Sequence, residues 1–573
     1  APDSKRSDLL HKIFKAPIRF FLIATLAAFV LSLAYVQSVN ITAFYLARQD
    51  RWLLLLATCL VLLCYAKPAA RDHLPVLNTT VVMAGLAGLL LITFIGHYLI
   101  LSGYDHSRDE QMASFDAAVF ASGHLVYSLP ALWRDHAEAL NVMFMYPAEQ
   151  RGGWISSYLP FNSGLRALLS LLAAPTLAGP LMTALGGVAL WGTIRRLWPD
   201  DKEAVTVGLM LYAGSAQILV TGMTSYAMPA HLALNLCWLW LFLRASWKSD
   251  VAALVVGFVA TGLHQPLMHP LFAVPLLFLL VRDRNWKRAA LYFVGYAVIG
   301  AFWLWWPSYI WQMVQADSGT LRPAGVDYIT RLTQVLSQGD RLGLPNMVSN
   351  ILRLIAWQHL LLVPLMMIGG KLAKADRMVG ALAGGIILTI FAMAVLLPYQ
   401  GHGFGYRYLH GLIGNAILLA IFGWRSLVQS EAIAKWRGLM WRTTVAGSLV
   451  FLPVQGWMAY AFYAAPAEAS KRIDKIDADY AIIGGADTRD AYDLIYNPPA
   501  LDRRPVRLLR QAMVPDAIRD ICSRRPTVAL VGNQVLQPLA DYYQKGTPAA
   551  DAANARMAAR LVAAGCRVMP PMP

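Results

Sequence analysis

Thirteen apolar runs, most of them close to bilayer-crossing length, constrain this chain more than any other feature. They fall at about 17–38, 52–66, 78–101, 177–195, 203–221, 228–244, 251–265, 267–281, 289–309, 351–369, 379–398, 410–428 and 440–463. A spanning helix needs about 20 predominantly apolar residues, with roughly 17 as the lower end, so the second, seventh and eighth runs are short. Composition agrees with the pattern. Of 573 residues, 57% are hydrophobic and 14% charged, against about 25% charged in soluble chains. An ordinary soluble enzyme is excluded. The net charge of +16 does not point to nucleic acid, because the charges cluster in short segments between the apolar runs, as in a multispanning membrane protein. Five cysteines without a CxxC spacing specify neither a disulfide scaffold nor a zinc site.

Orientation follows from the Lys/Arg bias of short loops. The first residues, KRSDLLHKIFKAPIR, are basic and are expected in the cytoplasm, with the first span acting as a signal anchor. Alternation then places Lys67 and Arg71, Arg195, Arg196 and Lys202, Arg244 and Lys248, Arg282 to Arg288, Lys371 to Arg377, and Arg425 to Arg442 in cytoplasmic loops. The seventh and eighth runs are kept as two spans despite Pro266 and Pro270 between them, since merging them would put the longest loops inside. The expected architecture is a polytopic α-helical membrane protein of about thirteen spans, residues 1–464, followed by a small α/β domain, 465–573, on the outer face. The outer loops are 102–176, 310–350 and 399–409. Within the first, SGLRALLSLL is short and apolar and reads as a helix lying at the membrane interface. In the tail, YAIIGG and PTVALVG read as strands ending in glycine, and LLRQAMVPDAIRDICSR as helix. Neither glycine segment is a GxGxxG nucleotide motif.

No Asp or Glu stands deep inside any of the thirteen runs, which disfavours an ion-coupled transporter. Chemistry is therefore expected at the outer interface. GYDHSRDEQMASFDAAVF opens the first outer loop directly after the third run, with Asp109 and Glu110 at its start. Adjacent helical residues point about 100° apart, so one of the two is expected to face a shared cavity. A carboxylate there could accept the proton of an acceptor hydroxyl; a solvated acidic loop is the alternative. The hairpin PYQGHGFGYRYLHG, 398–411, carries His402, Tyr406, Arg407 and His410 among three glycines. Arg407 has the planar fork that binds phosphate oxygens in pairs; a headgroup-level arginine in a glycine turn is the plain alternative. HQPLMH places His264 and His269 at another outer turn, off the i,i+4 spacing of a helical metal pair. The Trp-rich AFWLWWPSYIW fits an aromatic belt. Arg331 and Arg341 are weaker phosphate candidates. Cys522 and Cys566 both fall in the tail, where an oxidising compartment would allow a disulfide between them.

The acidic pair after an early span, together with the basic turn and helix of RRLWPDDKEAVTVGLMLYAGS, resembles the GT-C superfamily of integral-membrane glycosyltransferases, over about residues 78–430. That superfamily includes protein O-mannosyltransferases and lipid A aminoarabinose transferases. The resemblance implies a polyprenyl-phosphate-sugar donor, with Asp109, and Glu110 beside it, in the catalytic position. Two spans precede the acidic loop here, where many members have one. The expected function is transfer of a sugar from a polyprenyl-phosphate carrier to a hydroxyl of a lipid, glycan or protein, in a bacterial inner membrane with the tail in the periplasm. Arg407, His402, His410, Tyr406, His264 and His269 would bind donor or substrate. Two carboxylates near a phosphate leave room for a divalent metal, although no ligand spacing specifies one. A flippase or transporter for lipid-linked glycans, and a noncatalytic subunit of a glycan-assembly complex, remain as alternatives.

Overall fold

The computed structural model describes residues 14–34, 41–66, 70–141, 143–146, 151–315, 343–428, 432–543 and 549–570. Among the described residues each of the thirteen apolar runs falls largely on helix, but they are not thirteen equal spans. Among the described residues, eight helices are long and apolar enough to cross a membrane. A ninth would be Lys202–Ala213 with Ala216–Gly222, bent by 57°. Met228–Phe242 and Met268–Arg282 are apolar but shorter. The seventh and eighth runs are separate helices, Trp247–Thr261 and Met268–Arg282.

Three runs differ from expectation in an informative way. The second is not a short span from 52 but part of a 26-residue helix, Ile41–Ala66, which therefore includes Asp50. Asp50 is fully buried and pairs with Arg353 at 3.2 Å, while Trp357 donates to its other oxygen at 2.9 Å. So a carboxylate does stand inside an apolar helix, contrary to the sequence reading, and its charge is matched by a buried guanidinium. The tenth run, 351–369, is broken into Gly343–Ala356 and Leu362–Gly370, and the first piece begins inside the expected outer loop 310–350. The thirteenth is one helix of 42 residues, Ile433–Asp474, which runs straight through the expected domain boundary at 464/465. Arg331 and Arg341 lie outside the described residues.

Many side chains that point away from the bundle are large and apolar, including Phe293, Val298 and Leu304 at 77%, 65% and 71% exposure. A surface of that kind suits lipid rather than water. The innermost span is Arg407–Val428, with 67% of its apolar window buried against 17% for Trp286–Val314. It packs backbone to backbone on Leu362–Gly370. A Cβ on Gly369 would stand 1.9 Å from the Leu419 carbonyl oxygen, and one on Gly423 would stand 2.3 Å from that of Leu365. Small residues allow such close helix approach, and the contact fixes the helix whose first residue is Arg407.

The segment expected as the first outer loop folds into a helix, Arg108–Ala121, and a two-stranded ribbon, β1 (Tyr127–Ser128) with β2 (Gly153–Trp154). It ends in the helix Phe161–Leu172, whose sides are reversed relative to a soluble helix. Asn162, Ser163 and Arg166 are buried, whereas Leu168, Leu171 and Leu172 are 54%, 69% and 74% exposed. Arg166 donates to the carbonyls of Pro175 and Thr224. An outward leucine face suits an interfacial helix.

The tail holds a parallel four-stranded sheet, β3 (Tyr480–Ile483), β4 (Val506–Leu509), β5 (Thr527–Leu530) and β6 (Arg567–Val568), in the order β4-β3-β5-β6. Strands covered on both faces read as continuous apolar runs, as YAII and TVAL do. The segment LLRQAM is not α-helical as expected, and only Arg510–Ala512 within it form a 3-10 turn. Leu508 and Leu509 belong to β4, and the helix is only Pro515–Cys522. A disulfide joins Cys522 to Cys566, with their Cα atoms 4.7 Å apart.

Candidate active site

Ser107 caps the helix Arg108–Ala121. Its hydroxyl accepts from the Glu110 amide while the Glu110 carboxylate accepts from the Ser107 amide, a reciprocal capping box. That arrangement orients the first turn. Asp109 is thereby turned toward a cavity of about 490 Å³, and Glu110 is turned away from it. Both carboxylates sit where the positive end of the helix dipole favours them.

Asp109 accepts two strong hydrogen bonds. Arg407 reaches one oxygen at 2.6 Å, and the Tyr158 hydroxyl donates to the other. Burial alone would raise the Asp109 carboxyl, but the Arg407 charge and the Tyr158 hydrogen bond outweigh it and hold the group below its ordinary value of 3.8. The residue is an ionised carboxylate at neutral pH. His264 packs on Tyr158 with ring centroids 4.0 Å apart. Burial lowers its imidazole to about 4, so it is neutral there.

Arg407 is held from three sides. Its amide donates to Gln400 Oε1 at 3.0 Å, its guanidinium lies 4.8 Å from the Tyr226 ring centre, and Nη1 goes to Asp109. Gly403 makes room for its stem. Gly403 has φ +137°, and a Cβ there would stand 2.3 Å from Arg407 Cδ. The hairpin is held from beneath by Arg353, which donates to the Gly403 carbonyl at 2.6 Å and pairs with Asp50. Arg407 Nε is buried with no hydrogen-bond partner among the described residues. The cavity has on one wall a guanidinium paired with an ionised carboxylate.

Glu110 lies on the opposite side of the turn. Tyr463 donates to it at 2.8 Å and the Ser225 amide reaches its second oxygen at 3.4 Å. Burial, with the nearby Asp105, pushes its carboxyl up to about 7.

His402 also lines the cavity. Its Nδ1 meets the Tyr45 hydroxyl at 2.6 Å, and its Nε2 lies 3.2 Å from Asp493 and 3.6 Å from Asp490. Burial opposes a charge on the ring, yet Asp490 and Asp493 outweigh it and raise His402 to about 10. Asp493 also pairs with Arg108 at 3.3 Å.

Of the residues singled out in the sequence, Asp109, His264, His402 and Arg407 share this cavity. The others do not line it. His269 is buried between Asn235 and Tyr296, at 2.8 and 2.7 Å. Tyr406 is fully buried, its hydroxyl donating to the Met347 thioether Sδ at 3.6 Å. His410 is 1% exposed, inside the bundle. Sequence reasoning missed Tyr158, Tyr226, His231, Asp490 and Asp493. His106 stood in a quoted segment without a role. Asp490 and Asp493 come from the tail, and nothing local in DTRDAYD marks them as neighbours of the membrane helices.

Together these features define a multispanning helical protein with an acid–guanidinium cavity built on the segment between two spans and on the start of the most buried span among the described residues. The chain is similar to two solved structures of ArnT from Cupriavidus metallidurans. One, bound to undecaprenyl phosphate, is 14% identical with TM-score 0.44, and the match covers 73% of this chain and 85% of that one. The other, in the apo state, is 13% identical with the same coverage and TM-score. No family model and no curated protein matches the sequence.

Proposed function

We propose that this protein transfers a sugar from a polyprenyl-phosphate carrier to an acceptor hydroxyl at the outer face of a bacterial inner membrane. The observation that carries the reading is the Asp109–Arg407 pair on the wall of the cavity. The acceptor oxygen attacks the anomeric carbon as the bond from that carbon to the phosphate oxygen breaks. Asp109 takes the hydroxyl proton as general base. The leaving phosphate keeps the bonding electron pair, and Arg407 offsets its charge, a preorganised electrostatic contribution. Tyr158 and Arg407 hold the carboxylate in place, and His264 packs on the Tyr158 ring. Glu110 keeps the first turn oriented rather than touching substrate.

The same reading places the outer loops and the tail in the periplasm and the first residues in the cytoplasm. The Cys522–Cys566 disulfide supports this, since such bonds persist in oxidising compartments. The buried Asp50 does not favour a transporter, because Arg353 and Trp357 already engage it. Purified protein with a synthetic polyprenyl-phosphate sugar tests the proposal. Sugar transfer or donor hydrolysis is expected; donor that only crosses the bilayer unchanged would replace the reading with that of a flippase.

A further inference from the structure

His106 stands just before the helix that carries Asp109, fully buried, and neither of its ring nitrogens has a hydrogen-bond partner among the described residues. Burying an imidazole with both nitrogens unpaired is unfavourable, and such groups in native structures call for an explanation. Its ring lies 4.7 Å from that of His402. One ligating atom each from His106, His402 and Asp490 falls within 4.8 Å of the other two. Tyr45 engages Nδ1 of His402, which leaves Nε2 facing Asp490. A partner on the outer nitrogen that fixes ring orientation is the usual support of a metal-ligating histidine. Asp490 adopts a left-handed backbone, φ +62°, which aspartate tolerates better than most residues.

We propose that His106, His402 and Asp490 bind one divalent transition-metal ion of the zinc type at the edge of the cavity. Two imidazoles and a carboxylate suit zinc better than magnesium or calcium, which prefer all-oxygen shells. At zinc–ligand distances of about 2.0–2.2 Å the donors of a tetrahedral site stand about 3.5 Å apart, so atoms now within 4.8 Å of one another would draw in by side-chain adjustment on binding. Asp493, already near Nε2 of His402, or a water would complete the shell. His402 and Asp490 line the cavity, so the ion would border the space where substrate binds. The ligands come from the outer loop, the 398–411 hairpin and the tail, so the ion would also fasten the tail to the membrane helices. The site stands whether or not the protein transfers sugar.

The test uses full-length protein in detergent, stripped with EDTA and then exposed to Zn2+. Expected results are one Zn2+ retained per chain by elemental analysis, a higher unfolding temperature, and an absorption-edge spectrum showing two imidazoles with oxygen. His106→Ala and Asp490→Asn should each weaken Zn2+ binding by more than about ten-fold, whereas His231→Ala, elsewhere on the cavity, should not. Wild-type protein that retains no Zn2+, or a spectrum with fewer than two imidazoles, would overturn the site. The cluster would then be a charged His402 held between two carboxylates. The wild-type spectrum decides even if a variant folds poorly.

Discussion

The two sides of the first turn of Arg108–Ala121 carry adjacent carboxylates in opposite settings. On the cavity side, Asp109 faces a guanidinium, a tyrosine hydroxyl and open space. On the interior side, Glu110 is enclosed by the capping serine, Tyr463 and a backbone amide. The cavity side lowers its acid and the interior side raises its acid to about 7. A 100° step around a helix is thus enough to separate an ionised group available to a ligand from a group committed to shaping the turn.

Asp109→Asn is expected to have the largest effect, costing about 10²–10⁴-fold in the turnover of the folded variant. An unchanged rate would move the base elsewhere. Next, Arg407→Lys should lose on the order of 10²-fold, nearly as much as Arg407→Ala, because a point charge cannot reproduce a paired-donor fork. Wild-type rates in the Lys variant would mean that only charge matters at that position. A pH–rate profile sharpens the contrast: its acidic limb should lie below pH 4 if Asp109 is the base, whereas a limb near pH 7 would implicate Glu110.

The smallest expected effect belongs to Glu110→Gln, which should leave turnover within a few-fold while costing about 1–2 kcal/mol of stability. Its pH signature has a definite sign. Because the folded-state value, about 7, lies above the ordinary 4.5, folding takes up a proton between them. The group's contribution is fullest below pH 4.5 and declines as pH rises to about 7. Glu110→Gln should flatten that decline in thermal unfolding measured across pH 4–8; an unaltered slope would detach it from Glu110.

How far these features could be read from sequence depends on the range of the forces behind them. The apolar runs are legible because a bilayer demands continuous apolar length, and β3 and β5 because branched and small apolar residues end in glycine. Leu508 and Leu509 misled because leucine suits helix and strand patterns alike once buried. The break between Ala356 and Leu362 left no mark, since WQHLL contains neither proline nor glycine. The divergence of Asp109 and Glu110 followed from helix geometry alone. Their partners did not: Tyr158 lies 49 residues from Asp109, and Arg407 lies 298. The approach of Asp493 to His402, 91 residues apart, depends on how the whole tail docks, which no local pattern encodes.

The helix Ile433–Asp474 carries a mechanical consequence. At about 1.5 Å per residue its 42 residues reach roughly 60 Å, about twice the 30 Å hydrocarbon thickness. It is a mast, longer than a bilayer is thick, that delivers the tail at a fixed height and bearing. One inserted residue in its upper half would turn everything above by about 100° and carry Asp490 and Asp493 away from His402. Two whole added turns would restore the bearing but raise the tail by about 11 Å. The rotational phase of a single rod therefore sets whether the far end of the chain can close the cavity at all.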